Sequence, residues 1–183
     1  MDRISLTSQR SPVRNQKILS VADFIVKYLR NEKSCERVKE VNIQKIIYFS
    51  RLIWISELKK DIIQAEFKAR KMWPVNELLY DSYKKYIEHG KPLWSSYPLS
   101  VEERTIFEYC ADKFNNLGSG EISDYSHQDP ERIDKKAIKW KMNEQTSAQR
   151  FSPKIKTLFD DYFPYAIKEA QIIDQHLSDL DIK

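Results

Sequence analysis

Glycine is nearly missing from this chain: Gly90, Gly118 and Gly120 are the three it has in 183 residues. All-β folds need glycine-rich turns, and phosphate-cradling loops need several glycines together, so both classes lose ground at the outset. Cysteine is as scarce. Cys35 and Cys110 stand far apart with no CxxC spacing, which excludes a disulfide framework and suits reduced thiols in a cytoplasmic protein. The three histidines, His89, His127 and His176, form no HExxH and no metal-ligand pair. No metal or other cofactor is expected. No apolar run approaches the ~20 residues that cross a bilayer. Met1 to Lys17 holds Arg3, Arg10, Arg14 and Lys17 without an apolar stretch, so no secretory signal is expected and the cytoplasm is the expected location.

Charge is plentiful but balanced. The 31 basic and 27 acidic residues leave a net +4, which keeps a protein soluble without the basic stripe of a nucleic-acid binder. The basic pairs Lys59-Lys60, Arg70-Lys71, Lys84-Lys85 and Lys135-Lys136 are scattered among acids. Direct nucleic-acid binding is therefore not expected.

Apolar periodicity predicts helices. Residues 1–17 read as a polar arm. Val21, Phe24, Ile25, Tyr28 and Leu29 lie on one face of a helix starting near Ser20 or Asp23. After a charged loop, Asn42 is the expected N-cap of a second helix. There Ile43, Ile46, Ile47, Tyr48, Phe49, Leu52, Ile53 and Trp54 are apolar around most of the circumference, as in a helix at the centre of a domain. Residues 61–69 are a connector or a short strand. Pro74 is expected to open a third helix carrying Val75, Leu78, Leu79, Tyr83 and Tyr86 inward, with Gly90 at its end. Ser100 with Glu103 is a capping box for a fourth helix, whose buried stripe is Ile106, Phe107, Cys110 and Phe114 and which Gly118 stops. Short helices are expected near 119–125 and 133–140, a further one from Ser152-Pro153, and a last one at 165–180 after Pro164, with Ala166, Ile172, Ile173, Leu177 and Leu180. The sum is an all-α, mainly helical domain around one central apolar helix, with at most a short β element near 61–69.

Catalytic constellations do not emerge, and the chain is expected not to be an enzyme. Cys110 falls on an apolar helix face, where a buried thiol is structural. His127 sits at the Ser126–Pro130 turn beside Asp129. It suits a backbone-tying role, with partner contact and general-base catalysis as alternatives. The paired acids Asp160-Asp161 and Glu102-Glu103 read as solvated helix faces. Aromatic residues near helix ends and in loops, Trp73, Tyr80, Trp94 and Tyr97, are the side chains that anchor protein interfaces, with core packing as the alternative.

Three blocks resemble the Panacea domain family, with its SocA-like and phage-associated GepA-like members. Asn42-Ile43-Gln44-Lys45-Ile46-Ile47-Tyr48-Phe49-Ser50 is similar to the family's LQKLLYYAQ-like helix. Ile63 to Ala69, then Trp73-Pro74-Val75 and Leu79 to Tyr86, follow its EAW..GPV...Y..YK.Y pattern, with Trp73 where glycine is usual. Ser126-His127-Gln128-Asp129-Pro130 stands in the place of its Thr-His-x-x-x-Pro-Trp turn, without the final tryptophan. The resemblance covers about residues 18–162. It implies a domain at 18–163 between the arm and a C-terminal helical extension at 164–183. It also implies an antitoxin of a toxin–antitoxin pair, neutralising a cognate toxin protein by direct binding in a homo- or hetero-oligomer. The alternatives are a proteolysis adaptor that delivers the toxin to a protease, and a DNA-binding repressor. Candidate partner-binding residues are Trp73, Pro74, Tyr80, Tyr83 and His127. A signature shared by members with different partners is mostly fold, so Pro74, Tyr80 and His127 are expected to shape the domain and Trp73 to make contact.

Overall fold

A computed structural model of the chain describes residues 12–65, 67–69, 74–87, 89, 97–118 and 163–181. The expected helices near 119–125, 133–140 and from Ser152 lie outside the described residues, as do Trp73, Gly90 and His127. Among the described residues the fold is mainly helical: α1 (Pro12–Asn31), α2 (Glu40–Leu58), α3 (Glu77–Ser82, continued by a π-helical turn Tyr83–Ile87), α4 (Val101–Asn115) and α5 (Phe163–Asp181). A minimal antiparallel ladder of β1 (Lys68–Ala69) with β2 (Pro74–Val75) is the short β element expected beside the connector.

α2 is the axis. Every residue from Ile43 to Trp54 is buried, as expected for a helix with almost no polar face. α4 packs most extensively, against α2 on one side and α5 on the other, and α1 lies across α2 and α4. The Phe49 and Phe114 rings stack at 4.6 Å between α2 and α4. Tyr48 meets Phe67 edge-on at 5.4 Å, closing the connector over α2. The stripe predicted for α4 is fully buried: Ile106, Phe107, Cys110 and Phe114.

Element boundaries depart from the sequence reading in informative ways. α1 begins at Pro12, not at Ser20 or Asp23. Proline is preorganised for the first helical position, where a missing N–H costs nothing. The longer helix buries Ile18 and brings Lys17 Nζ to 2.5 Å from Glu103 Oε1 on α4. α2 starts at Glu40 from an extended Lys39 with no side-chain cap, so Asn42 lies inside the first turn rather than capping it. The Lys39 carbonyl accepts from the amides of Asn42 (3.0 Å) and Ile43 (3.3 Å). Val38 and Ile43 occupy the positions of a hydrophobic staple, both buried. Pro74 does not open α3. It pairs with Ala69 in the ladder, and Asn76 caps α3, accepting at 3.0 Å from the Leu79 amide. α4 already ends at Asn115, before Gly118. Pro164 does not break the last helix but sits in its first described turn. With glycine so scarce, the left-handed residue after α2 is Lys59 (φ 55°), a position glycine usually fills.

The N-terminus of α4 is accounted for donor by donor. The expected capping box is present: Glu103 N donates to Ser100 Oγ (3.2 Å) and Ser100 N to Glu103 Oε2 (3.1 Å). The Val101 and Glu102 amides donate to Asp174 Oδ1 and Oδ2 of α5, each at 2.8 Å. A carboxylate at a helix N-terminus adds favourable dipole electrostatics to those bonds. Phe163 and Ile167 bury the first turns of α5, and the Phe163 ring lies 4.4 Å from that of Tyr109.

Two substitutions test this arrangement. Asp174→Ala is expected to cost about 1–2 kcal/mol and to raise exchange at the Val101 and Glu102 amides, checked by denaturant unfolding and hydrogen exchange. Asp61→Ala is expected to cost more, about 3 kcal/mol, because it takes the carboxylate from the fully buried Arg51 guanidinium. Burial pushes the Asp61 carboxyl up, but the Arg51 hydrogen bond and charge outweigh it and hold it below its ordinary 3.8. That stabilisation is present above the ordinary value and is lost as pH falls through the lower folded one. Acid unfolding of the wild type should therefore show a loss of stability below about pH 4 that Asp61→Asn lacks.

Candidate partner-binding surface

The polar residues inside α2 determine how the neighbouring segment is displayed. Gln44 is buried, and its amide faces the backbone of Asn76. Nε2 donates to Asn76 O at 2.9 Å, and Asn76 N donates to Gln44 Oε1 at 3.0 Å. The side chain thus pairs with Asn76 as a neighbouring strand would, and pins the junction between β2 and α3. Arg51 Nε and Nη2 donate to Asp61 at 3.0 and 2.7 Å, and the Gln64 amide donates to Asp61 Oδ1 at 3.0 Å, which fixes the connector after α2. Two α2 side chains therefore hold the segment that carries the ladder and α3, one at its start and one at the junction before α3.

Pro74, Tyr80 and Tyr83 come from that one held segment, in different settings. Pro74 lies in the two-residue ladder, a place that tolerates a residue with no N–H. Tyr83 is half-buried, and its hydroxyl donates to the Val38 carbonyl, tying the π-helical turn to the loop before α2. Tyr80 is 45% exposed with Lys84 Nζ 5.4 Å from its ring centre, so it faces solvent rather than shaping the core. Trp73 and His127, the other two candidates, lie outside the described residues.

A second exposed surface was not among the candidates. In α5, Phe163, Ile167 and Ala170 are buried, while Ile172 (51%), Ile173 (48%), Leu177 (49%) and Leu180 (67%) are exposed. The helix has apolar residues on two faces, and the sequence listed those of the second without showing that the first alone docks. The available signal was the separate spacing of Phe163, Ile167, Ala170 and Asp174, at i, i+4, i+7 and i+11.

Cys110 is no nucleophile here. Burial pushes its thiol up to about 12, with the adjacent Ser50 side chain pulling weakly the other way. A thiol reagent at neutral pH should modify the half-buried Cys35 promptly and Cys110 at least ~100-fold more slowly, catching up only on unfolding. Among the described residues no group of three or more His, Cys, Asp and Glu is placed to hold a metal ion. No helix among them is long and apolar enough to cross a membrane.

Residues 43–131 match the family model described as antitoxin SocA-like, Panacea domain. The matched stretch takes in α2 from Ile43 onward, the connector, the ladder, α3 and α4, and leaves α1 and α5 outside it. No curated protein and no solved structure matches the chain. The stretch that resembles the family helix, Ile43 to Ser50, is the buried axis of the fold, and its Gln44 holds the segment containing the Pro-Val and Tyr blocks. Residues 43–131 thus carry this chain's similarity to the Panacea domain family.

Proposed function

We propose that this protein is the antitoxin of a toxin–antitoxin pair and neutralises its cognate toxin protein by direct contact. The observation that carries this reading is the match of residues 43–131 to the SocA-like antitoxin family. The site chemistry supports it. The buried, protonated Cys110 offers no nucleophile, and Gln44 and Arg51 of α2 are engaged in holding neighbouring segments. These features suit a domain that acts by binding. Occlusion of a toxin surface, or trapping of an inactive toxin shape, requires exposed apolar and aromatic anchors, and Tyr80 and the outer face of α5 provide them. The free thiols Cys35 and Cys110 suit a reducing compartment, consistent with action in the cytoplasm.

The test is co-expression with the product of the adjacent gene. The neighbour alone should arrest growth, and this chain should restore it while co-purifying with the neighbour as a complex. A harmless neighbour, or rescue with no complex, rejects neutralisation by contact. Rescue that depends on loss of the neighbour's protein, and that vanishes in a protease-deficient strain, selects proteolytic delivery instead.

A further inference from the structure

α5 is a helix with two working faces. At about 100° per residue, Phe163, Ile167, Ala170 and Asp174 fall on an arc of roughly 60°. This is the face that docks: the three apolar residues are buried, and Asp174 binds the first amides of α4. Ile173, Leu177 and Leu180 fall on a neighbouring arc of roughly 60°, centred about 80° away, while Ile172 lies roughly 80° beyond its far edge. All four are about half exposed or more. Their spacing, i, i+4 and i+7, is that of the anchors an amphipathic helix places in a partner's groove. The helix does not need to be ordered by binding, because its first face and the Asp174 contacts already hold it, so little conformational entropy opposes association.

Charge selects the occupant. From Phe163 to Asp181 the helix carries four acids, Glu169, Asp174, Asp179 and Asp181, against one base, Lys168, in a chain whose net charge is +4. Asp174 is engaged at α4, while Glu169 and Asp179 are exposed. An apolar stripe with acidic neighbours repels an anionic lipid surface, and in a second copy of α5 it would meet its own charge sign. It complements an apolar groove bordered by Lys and Arg. We infer that the outer face of α5, Ile173, Leu177 and Leu180, docks into a basic-rimmed apolar groove on the toxin and determines which toxin this antitoxin recognises. This inference rests on the antitoxin reading above. α5 also lies outside the family-matched residues 43–131.

The experiment uses the full chain and the purified product of the adjacent gene, with affinity measured calorimetrically and growth rescue scored in parallel. Ile173→Asp combined with Leu177→Asp is expected to weaken binding about 100-fold or more and to abolish rescue. Its melting temperature should stay close to that of the wild type. Glu169→Lys combined with Asp179→Lys should weaken binding about 5–10-fold and flatten its salt dependence. Wild-type affinity in the double-Asp variant overturns the inference while leaving the antitoxin reading in place. A large fall in its melting temperature also overturns it, since the face would then be covered by the chain itself. A wild-type dimer that the double-Asp variant abolishes assigns the face to a second copy, which again overturns it. Failure of the wild-type chain to bind the neighbour removes the antitoxin reading and this inference together.

Discussion

A helix buried along its whole middle cannot hold Gln44, Ser50 and Arg51 unless each polar group finds a partner, because an unsatisfied buried donor or acceptor costs about 1–3 kcal/mol. That constraint organises the domain. Ser50 Oγ donates back to the Ile46 carbonyl at 2.7 Å, within its own helix. Gln44 reaches the Asn76 backbone, and Arg51 reaches Asp61. The last two bring remote stretches of chain to α2. The connector, the short ladder and α3 thus have their positions set by polar groups of a helix whose middle is mostly apolar. Buried polar pairs of this kind contribute little net free energy, but they penalise any arrangement that leaves one member alone.

The same logic holds at the other side of α4. Its first amides are satisfied partly by the local Ser100–Glu103 box and partly by Asp174 from a distant helix. A local cap and a long-range cap on one helix end couple the folding of α4 to the docking of α5. Lys17 adds α1 to the same point through Glu103. The N-terminus of α4 is therefore where three helices are held by charge, whereas its C-terminal end is held to α2 by the stacked rings of Phe114 and Phe49.

A domain organised in this way suits a protein that works by contact. Its packed interior fixes the shape of the surface, and exposed apolar and aromatic side chains are left where core packing does not use them. Tyr80 emerges from the segment that Gln44 pins, and the outer face of α5 emerges beside the face by which that helix is docked. The family-matched residues contain the first of these and not the second.

Much of the fold was legible in the sequence because it depends on local periodicity and local hydrogen bonding. An apolar run with no polar face had to become the buried axis, and Ile43 to Trp54 did so. The Ser100–Glu103 spacing had to cap a helix, and it does. The Panacea signature was readable because it encodes that axis and the segment pinned to it. Other features were decided only by the tertiary structure. Pro12 and Pro74 each permit more than one local role, and contacts with α4 and the β1 partner chose between them. Asp174 has no local signal as a cap, because its partners lie at Val101 and Glu102. α5 has apolar residues on two sides, and periodicity alone cannot say which side is buried, since that depends on which face meets Tyr109 and the end of α4.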